Sequence, residues 1–228
     1  MSRVDEISAN LEKVKEQIKL AAASVNRLSD DITLVAVTKT FPVSDIEILY
    51  SLGIRDFGEN RDQEASAKVG LLPKDVRWHF QGQIQSNKLK SITSWASFIH
   101  SVDQLRYAQM ISDYSAGNEK PIFMQVSLDK PPQSRSGVNP SELLELAGAI
   151  SELPGIRLQG LMAVAPVNSP AEQAFAELED IRSDFLSTFP DAKSLSIGMS
   201  GDYQIAIKYG ATHIRIGSSI LGIRSPIA

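Results

Sequence analysis

Eight short apolar segments alternate with helix-like segments along the chain, and this alternation constrains the fold more than any other feature. Alternating strands and helices place parallel strands side by side, and eight such units favour a closed barrel. The predicted strands are residues 32–39, 54–58, 76–82, 97–102, 121–127, 156–163, 194–199 and 212–217. We therefore predict the α/β class, with one (β/α)8 TIM-barrel domain over residues 1–228. An open doubly wound sheet is the alternative, and the missing GxGxxG turn after strand one argues only weakly against it.

An additional helix precedes the first strand. Its apolar residues recur at helical spacing, and Ser2 followed three residues later by Asp5 forms a capping-box pattern. The apolar positions are Val4, Ile7, Leu11, Val14, Ile18 and Val25. Because this helix comes before the first strand, we expect it to pack on the outside of the barrel.

The composition excludes several functional classes. The 228 residues include 27 acidic and 23 basic side chains and no cysteine, so disulfides, thiolate catalysis and cysteine-bound zinc are excluded. No basic patch indicates nucleic acid, and no apolar stretch is long enough to cross a membrane. The polar residues 1–6 do not resemble a signal peptide. We expect a cytoplasmic protein with neither a nucleic-acid nor a membrane partner.

Lys39 ends the first predicted strand, on the same face as Val35 and Val37. A lysine among apolar neighbours loses hydration, which disfavours its ammonium form. The neutral amine is the nucleophile that condenses with an aldehyde to give a Schiff base. The alternative is a lysine that simply leaves the sheet into solvent, so the rest of the sequence has to decide between the two.

The last two predicted strands end in glycine and serine, at the strand ends where barrels often bind phosphate. Strand seven ends in residues 198–201, which include Ser200, and strand eight ends in Gly217 and Ser218. Glycine lets the backbone approach an anion closely, and N–H and hydroxyl groups donate to it. Each segment alone is also an ordinary turn, but their pairing at neighbouring strand ends favours a phosphate site.

Arg215 shares one face of strand eight with His213 and Gly217, whereas Ile214 and Ile216 occupy the other face. We therefore expect Arg215 to point into the barrel near its mouth. A buried arginine needs a partner, which is either a structural carboxylate or an acceptor on a ligand. Strand seven is predicted to alternate in the same way, with Ser196, Gly198 and Ser200 facing inward and Leu195, Ile197 and Met199 facing outward.

These three features fit a single ligand. An aldehyde that bears a phosphate and a ring nitrogen would use the lysine, the phosphate site and the arginine together. Pyridoxal 5′-phosphate (PLP) is such a molecule, and barrel phosphate sites with a lysine Schiff base are a known way to bind it. The sequence predicts no metal ligand.

Six motifs follow one another over nearly the whole chain. They are LVAVTKT at 34–40, FGEN at 57–60, WHF at 78–80 with Gly82 and QSNK at 85–88, GLMA at 160–163, LSIGMS at 195–200 with Asp202, and RIG at 215–217. Together they resemble the pyridoxal-phosphate homeostasis proteins, the YggS/PROSC family. Two positions depart from that pattern, because Gln81 stands where an apolar residue is usual and Arg61 where tyrosine is frequent. We expect both departures to affect only the rim of the site.

The resemblance implies a barrel of the alanine-racemase type, PLP fold-type III, with the cofactor on Lys39. It further implies that Ser200, Gly217 and Ser218 hold the phosphate and that Arg215 faces the pyridine nitrogen. Asn60 and His79 match family positions at the cofactor mouth. The implied cofactor-binding residues are thus Lys39, Asn60, His79, Ser200, Arg215, Gly217 and Ser218.

The implied function is intracellular PLP homeostasis, in which the protein buffers and delivers the cofactor without robust catalysis and without catalytic residues. An arginine at the ring nitrogen disfavours its protonation and weakens the ring as an electron sink. We also expect a monomer, apo PLP-dependent enzymes as partners, and no second domain of the racemase kind. The alternatives are a minimal racemase or decarboxylase that uses Lys39 with His79 or a tyrosine, and an aldolase acting on a sugar phosphate.

Three cations are predicted on the same end of the barrel as the cofactor. Lys88 follows strand three, and Lys130 and Arg135 lie in the irregular segment 128–139 after strand five. They would draw the phosphate outward or dock a recipient. Solvated surface charges are the alternative interpretation.

Overall fold

The computed structural model describes residues 2–115, 117–129 and 136–222, and these residues form a closed parallel barrel. Its strands are β1 (Thr33–Val37), β2 (Asp56–Glu59), β3 (Arg77–Phe80), β4 (Phe98–Val102), β5 (Lys120–Val126), β6 (Ile156–Ala163), β7 (Ser194–Ser196) and β8 (His213–Ile216). Each strand pairs with the next, and β8 returns to β1 to close the ring. The prediction of an eight-stranded barrel is confirmed.

Helices connect consecutive strands and cover the outside of the barrel. They are α1 (Arg3–Ala23), α2 (Val43–Ser51), α3 (Asp62–Val69), α4 (Leu89–Trp95), α5 (Leu105–Tyr114), α6 (Leu143–Ser151), α7 (Ala171–Thr188), α8 (Tyr203–Lys208) and α9 (Ser218–Leu221). The outward strand residues Ile214 and Ile216 are fully buried in the apolar layer beneath these helices, as the alternation of β8 predicts. No helix within the described ranges is both long and apolar enough to span a membrane.

The predicted extra helix α1 packs against α8 and α9. Its capping box is present, because Ser2 and Asp5 each bond to the other's backbone N–H. Of the apolar positions in this pattern, Ile7, Leu11, Val14 and Ile18 are buried, whereas Val4 is 51% exposed. Asn10 Nδ2 donates to the Ile220 carbonyl at 3.0 Å, and Arg3 donates to the neighbouring Leu221 carbonyl. The helix therefore fastens α9, which lies just behind the predicted phosphate site.

Five strands end earlier than predicted, and two of these ends, those of β1 and β7, bear on the site. β1 ends at Val37, so Lys39 lies two residues beyond the strand and occupies a turn. β7 ends at Ser196 because Gly198 has φ +89°, a left-handed conformation that ends the pleat. A Cβ on Gly198 would also lie 2.6 Å from the Ala206 Cβ. The predicted alternation therefore stops, and Met199 turns toward the mouth of the barrel.

Residues 137 and 138, which precede α6, contact the carboxyl ends of β4 and β5. Val138 forms a parallel bridge with Val126, and Asp103 Oδ2 accepts the Gly137 N–H at 3.0 Å. The predicted cations Lys130 and Arg135 lie outside the described residues.

Candidate functional site

A cavity of about 700 Å³ opens at the carboxyl ends of the strands, and we call it the main cavity. The residues that line it are Val37, Lys39, Phe41, Asn60, Gln81, Gly82, Gln83, Met162, Val164, Met199, Ser200, Gly201, Arg215, Gly217, Ser218 and Gly222. Six of the seven residues predicted to bind a cofactor are among them, and His79 is not. These described lining residues include two cations and no carboxylate, which suits an anionic ligand.

Lys39 is held on a turn that is fixed on both sides. Before it, the buried Thr38 donates its backbone N–H to the Gly58 carbonyl at 3.0 Å. After it, Thr40 has φ +65°, and its N–H donates to Glu64 Oε2 at 2.8 Å. A left-handed threonine is an unfavourable conformation that surrounding contacts must maintain. The backbone of Lys39 is therefore set by its neighbours rather than by the strand.

A buried ion pair supports this turn. Lys68 Nζ from α3 lies 2.7 Å from Glu59 Oε1 and 3.0 Å from the Thr38 carbonyl oxygen, and the Thr38 hydroxyl donates to the same Glu59 oxygen at 2.8 Å. Burial raises the pKa of Glu59, and the bonds from Lys68 and Thr38 oppose that shift. No sequence pattern predicts this pair, because α3 has the composition of a surface helix. A glutamate in the buried strand β2 was the available signal, since such a group requires a partner.

Ser200, Gly217 and Ser218 lie together at the β7 and β8 side of the main cavity, as predicted. The Ser200 Oγ accepts the backbone N–H groups of Gly217 at 3.3 Å and Ser219 at 3.4 Å, which ties the loop after β7 to the start of α9. Asp202 Oδ1 accepts the Met199 N–H at 2.5 Å and so fixes the same loop. Ser200, Gly217 and Ser218 are therefore held together at one end of the cavity.

Arg215 is only 4% exposed and reaches the main cavity from β8. Its Nη1 donates to the Ser196 carbonyl at 2.6 Å and to Ser196 Oγ at 2.8 Å, and its Nη2 donates to the Ala163 carbonyl at 3.0 Å. No carboxylate of the described ranges forms a salt bridge with it, so the structural carboxylate considered above is not its partner. Burial lowers the pKa of Arg215 to about 10.

Asn60 and Gly82 approach each other just beyond the ends of β2 and β3. A Cβ on Gly82 would lie 2.0 Å from the Asn60 carbonyl oxygen, so glycine is required where these strand ends converge. Gln81 lines the cavity itself, whereas we expected it to affect only the rim. Its side chain packs over Gly58, where an added Cβ would lie 1.8 Å from Gln81 Nε2.

Two further predicted residues lie elsewhere. His79 is fully buried inside the barrel, with Nε2 2.9 Å from Asp56 Oδ1 and Nδ1 2.8 Å from His100 Nε2, and not at the cavity mouth as expected. Burial lowers the pKa of His79. Lys88 is half-buried and lines a second depression of about 410 Å³, which shares Asn60 and Gln83 with the main cavity.

Comparison with known proteins places this architecture in a family. The model of the alanine racemase N-terminal domain matches residues 5–225. The pyridoxal phosphate homeostasis protein of Corynebacterium glutamicum is 42% identical over 212 residues, covering 89% of this chain and 95% of that protein. The protein of the same name from Escherichia coli K12 is 35% identical, covering 97% of this chain and 98% of that protein.

A solved structure supports the same assignment. PipY of Synechococcus elongatus, whose structure was determined with PLP bound, superposes with a TM-score of 0.79 at 33% identity. The match covers 90% of this chain and all of that chain. The chain therefore belongs to the family of pyridoxal phosphate homeostasis proteins, which are built on the alanine racemase N-terminal domain.

Proposed function

We propose that this protein binds PLP in the main cavity of one barrel domain and acts in PLP homeostasis by buffering and delivering the cofactor. The observation that carries the proposal is the convergence of Lys39, Arg215 and the Ser200–Gly217–Ser218 donors on one cavity without a lining carboxylate. An anionic ligand is complementary to such a cavity, because two basic residues and no described carboxylate line it. The names and PLP complex of the relatives point to the same ligand.

The residues present fit each part of PLP. Lys39 is the residue whose amine would hold the aldehyde group of PLP. The Ser200 and Ser218 hydroxyls are the donors for the phosphate, and Gly217 lets the backbone approach it closely. Arg215 faces the ring nitrogen, and Asn60 borders the mouth of the cavity. His79 supports the site from inside the barrel.

The cavity offers little for catalysis. Bound PLP supplies an electron sink for amino-acid chemistry, but a racemase or decarboxylase also needs a second acid or base beside it. The described lining residues contain no histidine, tyrosine, cysteine or carboxylate. His79 cannot serve easily, because Asp56 and His100 already occupy its two nitrogens. Buffering and delivery to apo PLP-dependent enzymes, by a cytoplasmic monomer, is the function we therefore favour over the racemase.

The experiment has three readouts on the purified protein. PLP should produce a visible absorption band, the loaded protein should restore an apo PLP-dependent enzyme, and amino acids in deuterated water should not lose their α-hydrogen beyond stoichiometric amounts. A protein that stays colourless with PLP would refute the binding proposal and favour the sugar-phosphate aldolase. Catalytic exchange of α-hydrogen would favour the racemase.

A further inference from the structure

A continuous series of hydrogen bonds crosses the barrel interior beneath the main cavity. Asp56 Oδ1 lies 2.9 Å from His79 Nε2, His79 Nδ1 lies 2.8 Å from His100 Nε2, and His100 Nδ1 lies 2.8 Å from Ser196 Oγ. Ser196 Oγ in turn accepts from Arg215 Nη1 at 2.8 Å. We call Asp56, His79, His100 and Ser196 the interior network. It joins the amino end of β2 to the arginine of the cavity.

Each hydrogen bond of the interior network can be assigned one donor and one acceptor. Arg77 donates twice to Asp56, and these bonds together with that from His79 lower the pKa of Asp56 to about 2, so Asp56 is an acceptor only. His79 must then donate from Nε2. Burial lowers the pKa of both His79 and His100, so each ring is neutral and has one donor and one acceptor nitrogen.

The remaining roles follow from this start. A neutral His79 that donates from Nε2 accepts at Nδ1, so His100 donates from its own Nε2. His100 Nδ1 is then an acceptor, and the Ser196 hydroxyl must direct its hydrogen to it. The lone pairs of Ser196 Oγ are therefore left for Arg215 Nη1.

Aromatic side chains hold both imidazole rings in place. The Phe98 ring stacks on His79 with 4.6 Å between centroids, and the Phe123 ring stacks on His100 at 4.2 Å. His213 lies 6.1 Å from each of the two rings, and its Nδ1 is 2.9 Å from Thr212 Oγ1. Hydrogen bonds in such a dry interior polarise one another, so a change at one end is felt at the other.

We propose that Asp56, His79, His100 and Ser196 are positioning residues that fix Arg215 for its contact with the ring nitrogen of PLP; the proposal rests on the function proposed above. Without Asp56, nothing dictates which nitrogen of His79 carries the proton. His100 can then donate from Nδ1 to Ser196, whose hydroxyl hydrogen is released from that bond and competes with Arg215 Nη1. The guanidinium thus loses an acceptor although no residue of the main cavity has changed.

The test compares PLP with its 1-deaza analogue, in which a C–H replaces the ring nitrogen while the aldehyde and phosphate remain. The wild-type protein should prefer PLP. Ser196→Ala, which removes one oxygen, and the distant Asp56→Ala should lower that preference by about two- to tenfold, the range of one hydrogen bond. The matched control Ser194→Ala, on the same strand, should leave the preference unchanged.

The outcomes separate this inference from the proposed function. If neither ligand binds the wild-type protein, the proposed function fails. If the wild-type protein prefers PLP and both Ser196→Ala and Asp56→Ala keep the full preference, the interior network has no positioning role. Nitrogen-15 NMR gives an independent measurement, in which His79 and His100 should both carry their proton on Nε2. A proton on Nδ1 of either ring would overturn the assignment.

Discussion

The barrel contains two polar regions that differ in how their groups are paired. In the interior network, Asp56, His79, His100 and Ser196 satisfy one another through matched donors and acceptors. The main cavity above it has cations and hydroxyl donors at its wall and no carboxylate among the described lining residues. The interior network arises from strand positions, whereas most residues that line the main cavity follow the ends of the strands. The difference teaches that polarity inside a barrel marks a ligand site where the lining charges are all of one sign, and not where acid and base groups lie side by side.

The largest effect is expected from the buried histidines of the barrel interior, through the pH dependence of the free energy of unfolding. His79, His100 and His213 all have pKa values lowered from the ordinary 6.5 by burial, that of His213 to about 3. Between these values and 6.5 the unfolded chain binds more protons than the folded one, so stability is lost as pH falls below about 6.5. Three such groups predict a loss of up to about 4 kcal/mol between about pH 7.5 and 5.5.

Urea unfolding at the two pH values measures this loss. The raised pKa values of Glu59 and Asp103 act in the opposite sense. The predicted loss in the free energy of unfolding is therefore an upper bound. The slope of the free energy of unfolding against urea should stay constant, which controls for a change in the unfolded state. A free energy of unfolding that is independent of pH would mean that the histidines take up protons in the folded protein.

The next test concerns the main cavity and changes Ser218. Ser218→Ala should weaken PLP by about 1.5–3 kcal/mol, roughly 10- to 150-fold, because one hydrogen bond to a charged phosphate is lost. Pyridoxal, which lacks the phosphate, should bind nearly as well as to the wild-type protein. Ser219→Ala is the matched control, since Ser219 does not line the main cavity. Equal weakening of PLP and pyridoxal would place the Ser218 hydroxyl away from the phosphate.

The smallest expected effect lies just outside the cavity, at Lys88. If this cation steers the cofactor during release, Lys88→Ala should slow PLP transfer to an apo-enzyme by about twofold while occupancy at equilibrium changes little. Salt should also slow transfer, and the variant should lose part of that dependence. Lys90→Ala, an exposed cation two residues away, is the control. A transfer rate that ignores both salt and Lys88 would support simple dissociation.

The sequence predicts the residues that line the main cavity better than those that hold them in place. The period of β8 correctly puts Arg215 inside and Ile214 outside, because a regular strand alternates. The prediction fails for Met199, where Gly198 leaves the strand conformation and the alternation ends. Turns of this kind depend on tertiary packing, here against Ala206, which no local pattern reports.

His79 and Lys68 show that the sequence does not predict partners that are distant along the chain. A motif indicates that His79 matters, but its partner His100 lies 21 residues away and meets it only when the barrel closes. Lys68 has the composition of a surface position, and only the fold brings it to Glu59. Pairing between distant residues is thus the part of the site that the sequence does not predict.

The most direct test of the account is to locate the lysine that bonds to PLP. Borohydride reduction of the loaded protein, followed by digestion and mass spectrometry, should find the pyridoxyl group on the peptide that contains Lys39. Lys39→Ala should lose the visible band and the label while retaining the folded barrel, because only a side chain at a cavity is removed. Full labelling of another lysine, such as Lys88, or a full label in Lys39→Ala would contradict the account.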